Sequence, residues 1–240
     1  VASTIELQNT INWASAYTNF EQLNIGTANE PAFTNANTVM QTIIGPPFKW
    51  NWNRGIATFT TVISPNPLQD YLVSAGSFGF LEGGSLANAS GNIFAFKNIK
   101  QDLTIGSEVG RPESIAPQFD NNGGTITFRV LPLPDAVYTA TIYFQNRIPS
   151  LFTSLTQTWA PIPDHFSYLY NYGFLALSMA YVGDQRFPIM NQKFIAHLLG
   201  AQQGLSETER NMFLDHWNII SGQQQVAAIR NQQGRQALGT

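Results

Sequence analysis

The chain of 240 residues contains no cysteine, which excludes disulfides, thiolate nucleophiles and cysteine-ligated metals while fitting any redox compartment. Charge is the second scarcity. Only 11% of residues are Asp, Glu, Lys or Arg, against about 25% in an ordinary globular protein; Asn, Gln, Thr and Ser take their place. A monomer keeps itself soluble with mixed surface charge, whereas a subunit that covers its surface with copies of itself can do without it. The deficit therefore points to an oligomer, with an Asn/Thr-rich secreted β-protein as the plainer alternative. The net charge of −3 offers nothing that attracts nucleic acid or an anionic membrane. No run of about 18 apolar residues is present, and the N-terminus lacks the basic and apolar regions of a signal peptide. A soluble chain is expected, and a start at Val1 is compatible with a removed initiator Met.

Recognisable catalytic signatures are missing as well. There is no GxSxG, no glycine-rich phosphate loop ending in Lys-Ser or Lys-Thr, and no His-x-x-x-His pair. His165, His197 and His216 lie far apart on three expected helices, where packing or surface roles outweigh metal ligation. The acids Asp70, Glu82, Asp102, Glu108, Glu113, Asp120 and Asp135 mostly adjoin Gly, Pro or Asn, where turns use them. A glycosidase-like pair is the functional alternative. No catalytic residue, metal or cofactor is expected, and no reaction.

What is present is periodicity. Phe166, Leu169, Tyr170, Gly173, Phe174, Leu177 and Tyr181 fall at helical spacing, and Leu175, Ala176 and Met179 carry apolar character around most of the circumference. This helix is the expected hub, opened by Pro163 and Asp164 and interrupted at Gly183-Asp184. Pro188 then opens a helix bearing Met190, Phe194 and Leu198. At the N-terminus, Ser3 and Glu6 have capping-box spacing, and Leu7, Ile11, Ala14 and Tyr17 predict a helix to about Phe20. After a break at Gly26 to Pro31, the stripe Ala36, Val39, Met40, Ile43 must end at Gly45-Pro46-Pro47. A second capping box, Ser206 with Glu209, opens a helix with Phe213, Trp217 and Ile220 on one face. Beyond Gly222 the chain turns polar, and 231–240 reads as an arm that is disordered or orders on a partner.

Between the helical portions the period changes. Short β-branched and aromatic runs from Ile56 to Gln145, separated by Gly, Pro and Asn, predict an antiparallel sheet or small sandwich. The clearest runs are 125–130 and 137–144, linked by Leu131-Pro132-Leu133-Pro134-Asp135, with a tight turn at Asn121-Asn122-Gly123-Gly124. The expectation is an α+β fold: a helical bundle from 1–50 and 161–230, an antiparallel β insert at 51–160, and the arm. Trp50-Asn51-Trp52-Asn53-Arg54 is the densest aromatic cluster. Wedging the junction between helices and insert is the favoured role for Trp50, Trp52 and Arg54, and stacking a sugar or base is the alternative. Arg111 and Arg147 read as strand-end residues whose charges pair across subunits.

The Asn-rich helix Asn35-Ala36-Asn37-Thr38-Val39-Met40 leads to the aromatic exit Phe48-Lys49-Trp50-Asn51-Trp52-Asn53. After a β insert comes the return Pro161-Ile162-Pro163-Asp164-His165-Phe166-Ser167-Tyr168, with a helix ending near Arg186-Phe187. In this order of elements the chain resembles bacteriophage head-to-tail adaptors, the tail tubular protein A or gatekeeper family of short-tailed phages. The resemblance implies a virion protein, present in the host cytoplasm during assembly. It implies a homo-oligomeric ring, commonly of twelve copies, docked between the portal protein and the nozzle or tail. Helices would pack against the portal, and the β part would reach toward tail components. Genomic DNA would pass through with transient, non-specific contact, and no membrane is involved. On this reading Phe166, Tyr170, Phe174, Leu177, Tyr181, Phe213, Trp217 and Arg235 are the expected subunit and portal interface. The alternatives are another tail or head-completion subunit, or a carbohydrate-binding β-domain protein.

Overall fold

The structure, a computed structural model, describes residues 2–18, 31–63, 69–120, 124–148, 150–202 and 204–222. The break at Gly26, the Asn121 to Gly123 turn, the polar arm and Arg235 lie outside them. The fold is α+β, divided into a helical unit, Val1–Phe48 with Ser150–Thr240, and a β unit, Lys49–Pro149.

The helical unit contains α1 (Leu7–Thr18), α2 (Ala32–Ile44), α3 (Ser167–Val182), α4 (Phe187–Gly200) and α5 (Glu207–Ile220). Helix α3 is its centre because apolar side chains run all round it; it packs against α1, α2 and α4. Gly173 lets two neighbours close in. A Cβ there would stand 2.8 Å from the Phe194 ring and 2.9 Å from Val39 Cγ1. The helix ends in a left-handed Gly183, with the Asp184 N–H donating to the Met179 carbonyl at 2.9 Å.

One expected capping box forms and one does not. At α5, Ser206 Oγ accepts from the Glu209 N–H and the Glu209 carboxylate accepts from the Ser206 N–H. Near α1, Ser3 Oγ instead donates to Asp164 Oδ1 at 2.7 Å, Thr4 donates to the same carboxylate, and Glu6 bridges Thr158. The local cap gives way to bonds that tie the first residues to the start of α3. Residues 150–160 also depart from expectation, since they belong to the helical unit. The N–H groups of Leu7 and Gln8 donate to Gln157 and Leu155 carbonyls, and Trp159 stacks on Tyr170 at 4.5 Å. Its indole N–H donates to Thr10 Oγ1 at 2.8 Å.

The β unit is a sandwich of two four-stranded sheets. Strands β1 (Arg54–Thr60), β10 (Tyr138–Asn146), β3 (Phe78–Asn88) and β4 (Ile93–Ala95) form one sheet in that order. The second runs β2 (Asp70–Ser74), β8 (Thr125–Leu131), β7 (Ser114–Asp120) and β5 (Asn98–Ile99). Strands β6 (Val109–Gly110) and β9 (Leu133–Pro134) form a short parallel pair, as do β5 and β7, so the insert is not wholly antiparallel. The runs 125–130 and 137–144 stand in opposite sheets, and the Pro-containing link carries the chain from one to the other. Alternation fills the space between them: Ile126, Phe128 and Val130 from β8 meet Ala140, Ile142 and Phe144 from β10 in one buried cluster.

Candidate functional site

A β-bulge builds the most connected polar node of the β unit. Tyr143 pairs with Gly83 and Phe144 with Leu81, which leaves Glu82 unopposed on β3. Its carboxylate receives both Arg54 Nε, at 2.9 Å, and Arg54 Nη2, and also Gln145 Nε2 at 2.9 Å. Gln145, fully buried, accepts the Trp50 backbone N–H on its Oε1 at 3.0 Å. Burial alone would raise the Glu82 pKa; hydrogen bonds from Arg54 and Gln145 and the charges of Arg54 and Lys49 outweigh it and hold the carboxyl below its ordinary value. The same hydrogen bond raises Arg54. A carboxylate held this way is a fastener; it is poorly placed to exchange protons with a substrate.

Trp50 and Trp52 stack on each other at 5.3 Å with 28° between planes, and Trp50 is buried. Trp50 therefore presents no open face for a sugar or base. Both tryptophans and Arg54 belong to the β unit.

Four of the other candidate acids, Asp70, Glu113, Asp120 and Asp135, are engaged as well. Asp70 takes Arg129 Nε and Nη2, each at 2.7 Å, while Arg129 Nη1 donates to the Leu103 carbonyl. Lys97 and Arg111 both reach Glu113, at 2.6 and 3.4 Å, and the bond from Lys97 leads in lowering its pKa. Asp120 pairs with Arg147 at 3.7 Å, and Asp135 accepts from the Tyr138 hydroxyl. Arg111 and Arg147 thus find partners within the chain. Glu108 and Glu113 line one groove of about 420 Å³ with Asn98, Ser107 and Leu131. Glycoside hydrolysis needs one carboxyl protonated and one free, and Glu113 is bound by two cations. Among the described residues no three His, Asp or Glu side chains gather to hold a metal. His165 lies in the turn before α3, His197 on α4 and His216 on α5.

The expected interface residues need correction. Tyr170, Phe174, Leu177, Phe213 and Trp217 are buried inside their own helical unit. Phe213 meets Phe48, and Trp217 meets Phe194 while donating to Asn191 Oδ1 at 2.6 Å. Their apolar surface is spent on the chain's own core, so they offer a partner nothing. Phe166 is half-buried beside His165, and Tyr181 is 68% exposed.

The open aromatic surface of this unit lies elsewhere. Trp13 stands 5.7 Å from Tyr17 on α1 and 5.9 Å, edge-on, from Tyr172 on α3. Tyr172 stacks on His197 of α4 at 5.2 Å, and His197 meets Tyr168 at 5.2 Å. Lys193 lies over Tyr172. These side chains come from α1 and, some 150 residues later, from the consecutive helices α3 and α4. The sequence shows them only as separate i, i+4 pairs, Trp13 with Tyr17, Tyr168 with Tyr172 and Lys193 with His197, and no local pattern joins the pairs into one band.

Comparison with protein-family models and with curated proteins gives no match.

Proposed function

We propose that this chain is a structural subunit of a virion, a head-to-tail adaptor whose copies form a ring between the portal and the tail or nozzle and surround the DNA passage. The observation that carries the reading is the discontinuous helical unit, built from the two segments that flank, in sequence, a β unit in which most carboxylates are tied up in ion pairs. That order of elements is the one on which the resemblance to adaptors rests. The scarcity of charge and the aromatic side chains left open on α1, α3 and α4 support a subunit that associates. Carboxylates already bonded to Arg and Lys favour a building block over a catalyst. No enzymatic activity, cofactor or membrane contact is part of the proposal, and DNA contact is transient and non-specific.

The test is a pull-down of the labelled chain against purified portal and nozzle proteins. An adaptor binds both. Binding to one alone indicates another tail or head-completion role, and binding to neither refutes the proposal.

A further inference from the structure

We infer that the aromatic band on α1, α3 and α4 is one half of a head-to-tail contact between copies of this chain, the other half being the outer stripe of α5. The inference rests on the ring reading above and names the surfaces that make it.

The band has the composition of an interface core, with two half-exposed tyrosines, a half-exposed tryptophan, Tyr17 at 44% exposure and an exposed histidine. Its rings pack mainly against one another: Tyr172 and His197 lie nearly parallel at 16°, while Trp13 meets Tyr172 at 89°. The hydroxyls of Tyr17, Tyr168 and Tyr172 and the indole N–H of Trp13 have no hydrogen-bond partner among the described residues. Lys193 adds a full positive charge, and it forms no ion pair there either. The surface offers unpartnered hydrogen-bonding groups and a positive charge that no carboxylate of the described residues answers. Its complement is an apolar strip bearing a carboxylate.

Helix α5 carries such a strip. Phe213 and Trp217 face inward, whereas Met212, Asp215 and Ile219, spaced by three and four, share the outer side. Met212 and Ile219 are 66% and 65% exposed. Asp215 is exposed and has no ion-pair partner among the described residues. The two surfaces are unlike, so joining them from copy to copy makes a heterologous contact, the kind that closes into rings.

Self-association of the full chain, followed by mass photometry at low ionic strength, tests this. Lys193→Glu and Asp215→Lys should each weaken association about tenfold, and Tyr172→Ala about thirtyfold. The double variant K193E/D215K should recover most of the loss, because each contact then carries the pair reversed. Circular dichroism should match the parent in all four, since the sites are at the surface. Rings that ignore all three single substitutions place the contact elsewhere and overturn this inference while leaving the ring reading standing. Single variants that weaken association without rescue by the double variant show that Lys193 and Asp215 do not face each other, which also overturns it. A monomer at every concentration removes the ring reading and this inference together.

Discussion

The two units differ in how far the polar groups at their surfaces find partners within the chain. In the β unit, charged side chains close on one another: Arg54 on Glu82, Arg129 on Asp70, Lys97 and Arg111 on Glu113. In the helical unit Asp164 and Asp184 are bonded as well, but on the surface the hydroxyls of Tyr17, Tyr168 and Tyr172 and the Asp215 carboxylate have no hydrogen-bond or ion-pair partner among the described residues, and Lys193 has only the Tyr172 ring. A unit whose polar groups are already matched gains little from further contacts. One that leaves rigid aromatic anchors open has surface to offer a partner. Changes in the β unit should therefore register as stability, and changes on the helical surface as association.

The largest expected effect lies in the helical core. Leu177→Asp buries an unpaired carboxylate in α3 and should cost about 4 kcal/mol, enough to abolish cooperative unfolding in a denaturant titration. Gly173→Ala should destabilise by about 1 to 2 kcal/mol, since the new methyl meets Phe194 and Val39 below 3.0 Å and only part is returned by better helix propensity. Ser206→Ala removes the α5 cap and should cost about 1 kcal/mol, read from the urea midpoint.

Glu82→Gln probes the β unit through pH. The folded carboxyl titrates below its unfolded value, so its contribution is complete above the ordinary glutamate range and is lost as pH falls through the lower folded pKa. The parent should lose stability on acidification by about 1 kcal/mol more than the variant, whose gap from the parent narrows toward low pH. Thermal melts of the pair from pH 7 down to pH 3 would show it. Least affected in stability is Lys193→Glu, within about 0.5 kcal/mol of the parent at neutral pH, although its association should fall.

Much of the architecture was legible because periodicity is a local property. The stripes of α2, α3 and α4 and the Ser206 box of α5 appear in single segments, and the stop at Gly45-Pro46 does too. What escaped was tertiary. The Ser3 cap was outcompeted by Asp164, 161 residues away in the chain. Residues 150–160 have no regular period, so nothing local revealed that Phe152 and Trp159 seal the helical core. Strands β8 and β10 both alternate cleanly, but alternation says which face is buried and not which strand lies alongside. The same blindness explains the candidate interface. Apolar spacing picked out Tyr170, Phe174, Leu177, Phe213 and Trp217, yet a stripe that packs on its own chain looks the same in sequence as one that waits for a partner. The side chains left open, Trp13, Tyr17, Tyr172 and His197, become a group only once three helices pack.

Sedimentation velocity of the purified chain across a wide concentration range, alongside its Tyr172→Ala variant, tests the central claim most directly. The account predicts a large, discrete oligomer for the parent and a shift toward the monomer for the variant, with the fold of both intact. A parent that sediments as a monomer throughout would contradict it.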